Sequence, residues 1–149
     1  MFVPKKIQIV QADEDTDFTL TATWAAATDL GELKGSPFAK VTFDPKSVQT
    51  QNGNKTQGMT AKVEASAIIT LSDAAAAVIR SMEKKNVALL CTPKGTVGAD
   101  NPYLIIKNFL LQRKGEIAVG EPSFITLFND SVPVYDETDI AQEIAALLP

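Results

Sequence analysis

Residues 60–94 of the chain read TAKVEASAIITLSDAAAAVIRSMEKKNVALLCTPK, a pattern of strand, helix and strand around which the rest is organised. The first part, residues 61–71, alternates and then turns fully apolar at Ala67-Ile68-Ile69, as a strand entering a core does. Ser72 is a natural N-cap, because its hydroxyl can accept from the free backbone N–H groups of a first helical turn. Asp73 puts a negative charge at the positive end of the helix dipole. Ala74, Ala75, Ala76 and Ala77 carry high helix propensity, and Ala75, Val78, Ile79 and Met82 make one apolar stripe at helical spacing. Lys84 and Lys85 suit the last turn, with Asn86 as the expected left-handed stop. Residues 87–91 are a short apolar strand ended by Pro93-Lys94-Gly95. A helix of about three turns is marginal alone, so packing on a sheet must hold it.

Upstream, residues 5–11 read as a strand with Ile7 and Ile9 on one face and Gln8 and Val10 on the other. A polar turn, ADEDTD, follows at 12–17. Phe18, Leu20, Ala22 and Trp24 then alternate with Thr19, Thr21 and Thr23, which predicts a half-buried antiparallel strand in a hairpin with the first. Residues 25–35 are a connection of small residues, and residues 39–43 a third strand with Val41 and Phe43 inward. Residues 44–58, DPKSVQTQNGNKTQG, are the most polar long stretch of the chain. Asn52-Gly53 is its turn signal, and the flanks have almost no apolar face. The expectation is a hairpin projecting from the body, with Val48, Gln49, Gln51, Asn52, Asn54, Lys55 and Gln57 as candidate subunit-contact residues. An arm that cannot bury itself in its own domain is either mobile or ordered by a neighbouring chain.

Downstream of the central stretch, residues 95–102 form a loop and residues 103–112 a long strand. Leu104, Ile106 and Leu110 are expected on one face, Ile105, Phe109 and Leu111 on the other, with a bulge at Asn108. A charged turn at 113–116 leads to two strand pieces, 117–119 and 123–128, around Gly120-Glu121-Pro122. Residues 132–135 add an edge strand, since Pro133 cannot donate to a ladder. Asp136 caps a final helix over about 137–148, with Ile140, Ile144, Leu147 and Leu148 as its apolar stripe. Eight or so strands and two helices give a mainly β (α+β) class. The architecture expected is a β-sandwich or open barrel with a flanking helix, a long polar hairpin and a C-terminal helix, in a single domain.

Composition narrows the chemistry. The 149 residues are 45% apolar and 21% charged, ordinary for a folded domain. A net charge of −4 leaves no footprint for gripping nucleic-acid phosphates. With no histidine, Ser-His-Asp and Cys-His catalysis and the commonest metal ligand are removed. One cysteine, Cys91, excludes an internal disulfide and a structural zinc site, and its apolar surroundings predict an inert buried thiol. No phosphate-cradling glycine motif is present, and Pro93-Lys94-Gly95-Thr96 lacks the spacing of one. Asp13, Asp15 and Asp17 begin like a calcium loop, but Phe18 and Trp24 stand where glycine and glutamate are required. They read as a charged turn, and Trp24 as core. The remaining acids fall in turns and on polar helix faces. No catalytic residue, cofactor or metal site is therefore expected. MFVPKKIQIV holds no long apolar run of the signal-peptide kind, and no run approaches the roughly 18 apolar residues of a membrane span.

Three features stand in a recognisable order from Ser36 onward. Residues 41–69 form a long hairpin and residues 72–85 a flanking helix. A strand pair is built on Tyr103-Leu104-Ile105-Ile106-Lys107-Asn108 and Gly120-Glu121-Pro122-Ser123-Phe124-Ile125-Thr126-Leu127. The order resembles the tail tube (major tail) proteins of bacteriophages. That resemblance implies a small β-sandwich or barrel subunit forming hexameric rings, stacked into a hollow tube through which DNA passes. It implies a structural virion protein and not an enzyme, located in the tail and assembled in the host bacterial cytoplasm. The partners implied are copies of itself and other virion proteins, with DNA only as passing cargo and no membrane. The excess of carboxylates would repel phosphate and let DNA slide, and strand edges would serve as ring contacts. The C-terminal helix is an addition to that pattern. A tail terminator, a head–tail connector or a capsid decoration protein shares this texture. A small-ligand-binding β-barrel is the alternative from another class, and it would need an apolar interior cavity.

Overall fold

The computed structural model describes residues 2–51 and 54–148, and for 45–51 and 54–58 the backbone alone. Along the chain the elements are β1 (Pro4–Gln11), α1 (Thr21–Ala25), β2 (Thr28–Asp29), β3 (Leu33–Gln51), β4 (Asn54–Thr70) and α2 (Asp73–Met82). They continue with β5 (Asn86–Pro93), β6 (Tyr103–Leu110), β7 (Gln112–Lys114), β8 (Pro122–Phe128), β9 (Val132–Val134), a 3-10 turn (Glu137–Asp139) and β10 (Ala141–Ile144). The fold is mainly β, as the turn spacing and alternation predict. One antiparallel sheet is ordered β10-β6-β5-β1-β2, and the other β3-β4-β8-β7 with β9 beside β4.

Alternation decides which face each strand buries. On β4, Ala61, Val63, Ala65, Ala67 and Ile69 are all buried, and they meet Ile7 and Ile9 of β1 and Val87, Leu89 and Cys91 of β5 in one core between the sheets. α2 adds Ala75, Ala76 and Ile79 to that core, with Ser72 Oγ accepting from the Ala75 N–H at 3.1 Å. Burying Ile79 alone contributes about 1.5–3 kcal/mol, more than ten residues of propensity can supply. Lys84, at φ 65, is the left-handed stop; Asn86, expected in that role, already belongs to β5. β5 is buried on both faces, so it reads as an unbroken apolar run. Its Ala88 and Leu90 join Ile105, Phe18 and Trp24 in a second cluster on the far side of the sheet.

β3 connects the two sheets. It leaves β2 by residues 30–32, and Ala39 exchanges two backbone hydrogen bonds with Phe2, at 2.9 and 2.8 Å. Its Lys40, Val41 and Phe43 line one groove with Ala141, Gln142 and Glu143 of β10.

Several expectations are corrected. Residues 18–24 are not a strand: the chain turns into α1. Asp17 Oδ1 accepts from the Thr19 N–H and hydroxyl, and Trp24 Nε1 donates to the Phe18 carbonyl at 3.0 Å. An extended chain would hold Phe18 and Trp24 about 20 Å apart; here their rings are 6.2 Å apart on the second cluster. The C-terminal helix is also absent. Asp136 does cap, and with Asp139 it closes a capping box, but only the 3-10 turn follows. Residues 141–144 then pair with 103–106 on the edge of β6, and so cover backbone groups of β6 that a helix over this segment would leave open.

Residues 117–119 are not a strand, and β7 occupies part of the expected charged turn. The Asn108 bulge is real, with φ 57 and a register shift opposite Val87–Leu89. It reverses the phase beyond it, so Phe109 and Leu111 enter the main core with Leu104 and Ile106, while Leu110 is 49% exposed. The segments 103–108 and 120–127 are not a pair, because β6 and β8 belong to different sheets.

Candidate functional site

The polar stretch at 44–58 forms the hairpin its sequence predicts. The β3–β4 ladder runs from Leu33↔Ile69 to Gln51↔Asn54. On its other side β4 pairs β8 only over residues 64–70 and β9 only over 59–61. Beyond those points, among the described residues, the two strands pair with each other alone, through Val48↔Gln57, Gln49↔Thr56 and Thr50↔Lys55. The register shift between Pro45 and Val48 marks where this two-stranded ribbon leaves the sheet. A bulge there bends the strand, and Pro45 withholds a donor. The backbone thus brings together Val48, Gln49, Gln51, Asn54, Lys55 and Gln57. Asn52, and with it the Asn52-Gly53 turn, lies outside the described residues.

A second feature was not visible in the sequence. Between β3 and β10 lies an open groove of about 620 Å³. Phe2, Val41, Phe43 and Leu104 are its apolar lining, and Lys40, Glu137 and Glu143 its charged lining. Its walls are strand edges. β3 pairs β4 on one side and meets Phe2 at Ala39 on the other; β10 pairs β6 on one side. Reading 137–148 as a helix concealed this edge. Asp136 and Asp139 gave no warning, because a capping box opens a helix as readily as a single turn.

The remaining candidates have structural roles. Asp13 Oδ1 accepts from the Asp15 N–H and the Thr16 hydroxyl, so the acidic triplet caps its own turn. The Thr19 hydroxyl and N–H hold the Asp17 carboxyl below the usual carboxylate range. Burial pushes the Cys91 thiol up to about 12, which leaves it unreactive at neutral pH. Trp24 is core, at 5% exposure. The outer face of the β3-β4-β8-β7 sheet is mixed, with a Lys62–Glu64 pair at 3.4 Å, Lys114 over the Phe128 ring and Phe124 exposed. No helix among the described residues is long and apolar enough to cross a membrane.

No family model, no curated protein and no solved structure matches this chain.

Proposed function

We propose that this chain is a structural subunit that assembles with copies of itself into stacked rings, as the tube of a phage tail. The observation that carries the reading is the β3–β4 ribbon, whose strands run past β8 and β9 and there pair only with each other among the described residues. A two-stranded ribbon is marginal alone in water, so a polar one of this length makes sense as an arm completed by a neighbour.

Other features agree with it. The core between the sheets is filled by Ala, Ile, Leu, Val and Phe side chains, which suits a rigid building block. The edges flanking the groove, unpaired beyond Ala39 among the described residues, would be a liability in an isolated monomer and become contacts in an assembly. A net charge of −4 suits a conduit that DNA passes without sticking.

The test is a ribbon deletion. Replacing residues 49–57 by an Asn-Gly turn should leave the circular dichroism spectrum and melting transition intact and abolish association in sedimentation velocity. A shortened protein that still associates like the parent removes the ribbon from the account.

A further inference from the structure

We propose that the groove between β3 and β10 is the seat for the β3–β4 ribbon of a second copy of this chain. This rests on the assembly reading above and says where the arm goes. Strand edges at 40–43 and 141–143 wall the groove, and an unpaired edge is a template for another strand. The apolar floor of Phe2, Val41, Phe43 and Leu104 gives an incoming strand something to cover.

Charge selects the occupant. Glu137 and Glu143 are exposed at the rim against one exposed cation, Lys40, so the described lining carries a net negative charge. Residues 45–58, PKSVQTQNGNKTQG, carry Lys46 and Lys55 and no acid. The rest of that segment is largely Gln, Asn, Thr and Ser, whose amides and hydroxyls can serve the groove's open backbone groups. The ladder carries the ribbon onward from the stretch that walls its own chain's groove. Donor and acceptor surfaces are therefore different, which permits head-to-tail contact, the arrangement that closes rings or extends fibres.

The experiment is a charge swap on the full chain. Glu137→Lys with Glu143→Lys reverses the rim, Lys46→Glu with Lys55→Glu reverses the ribbon, and a fourfold variant reverses both. Each is measured by sedimentation velocity at low and high salt, with circular dichroism as the fold control. The parent should associate, and each double variant about tenfold or more weakly. The fourfold variant, and an equimolar mixture of the two doubles, should recover association. A rim variant that associates like the parent overturns the groove as the seat and leaves the assembly reading standing. Two weakened doubles with no recovery overturn the ribbon as occupant, and assign the groove to another surface or partner. A parent that stays monomeric at every concentration overturns both readings.

Discussion

Asn129 is bonded to Val63 twice. Its backbone N–H donates to the Val63 carbonyl at 3.1 Å, and its Oδ1 accepts from the Val63 N–H at 2.6 Å. β8 leaves β4 at Phe128↔Glu64, and β9 rejoins it at Val132↔Ala61. Asn129 supplies the missing rung between them, with a side-chain amide standing in for a peptide. The site is 1% exposed, so water cannot replace that acceptor. Asn129→Ala should cost about 1–3 kcal/mol, the penalty of an unsatisfied buried donor. Urea unfolding should show a lower midpoint with an unchanged slope; an unchanged midpoint would mean that the rung is dispensable.

Two glycines with positive φ should differ in cost. Gly115 (φ +99) lies where a Cβ would collide with the Phe124 carbonyl oxygen, whereas Gly120 (φ +78) has nothing within 4 Å of one. Gly120→Ala should cost only the left-handed backbone penalty, about 1–2 kcal/mol. Gly115→Ala adds a clash with backbone that cannot turn aside, and should lower the melting temperature further. Equal effects would contradict the close approach of residues 113–115 to β8.

Asp136 should make the chain's end sensitive to acid. Bonds from the Thr138 N–H and hydroxyl hold its carboxyl below the usual value of 3.8. A carboxyl depressed by folding adds stability that is complete above its unfolded pKa and is lost as pH falls through its folded one. Asp136→Asn should therefore melt below the parent at pH 7, and the gap should narrow as the pH is taken down below 3.8. A gap independent of pH would assign the effect to the turn's shape and not to its charge.

Cys91 reports on the core. With its thiol pushed up to about 12 and fully buried, it should resist a thiol reagent at pH 8 until denaturant opens the sandwich. Labelling of the native protein at the rate of a free thiol would contradict the packing of β5 between two apolar layers.

The central stretch was legible because local and tertiary signals agree there. Ser72 caps, the Ala75–Ile79 spacing suits a helix, and the β4 alternation matches a strand with one buried face. Where they part, the sequence misleads. Phe18, Leu20, Ala22 and Trp24 alternate as a strand would, yet Asp17 and the Trp24 indole make local bonds that curl the chain. Ile140 and Ile144 stand four apart, as on one helix face, yet Ile140 enters the main core and Ile144 packs on the second cluster, because residues 141–144 pair with the free edge of β6. The ribbon residues were legible from polarity alone. The groove was not, because its second wall exists only after that C-terminal segment has paired.

Self-assembly is the central claim, and negative-stain electron microscopy of the purified full chain, with light scattering on the same sample, tests it most directly. The account predicts rings or hollow tubes whose mass grows with concentration. Single particles of monomer mass up to the highest soluble concentration would contradict it.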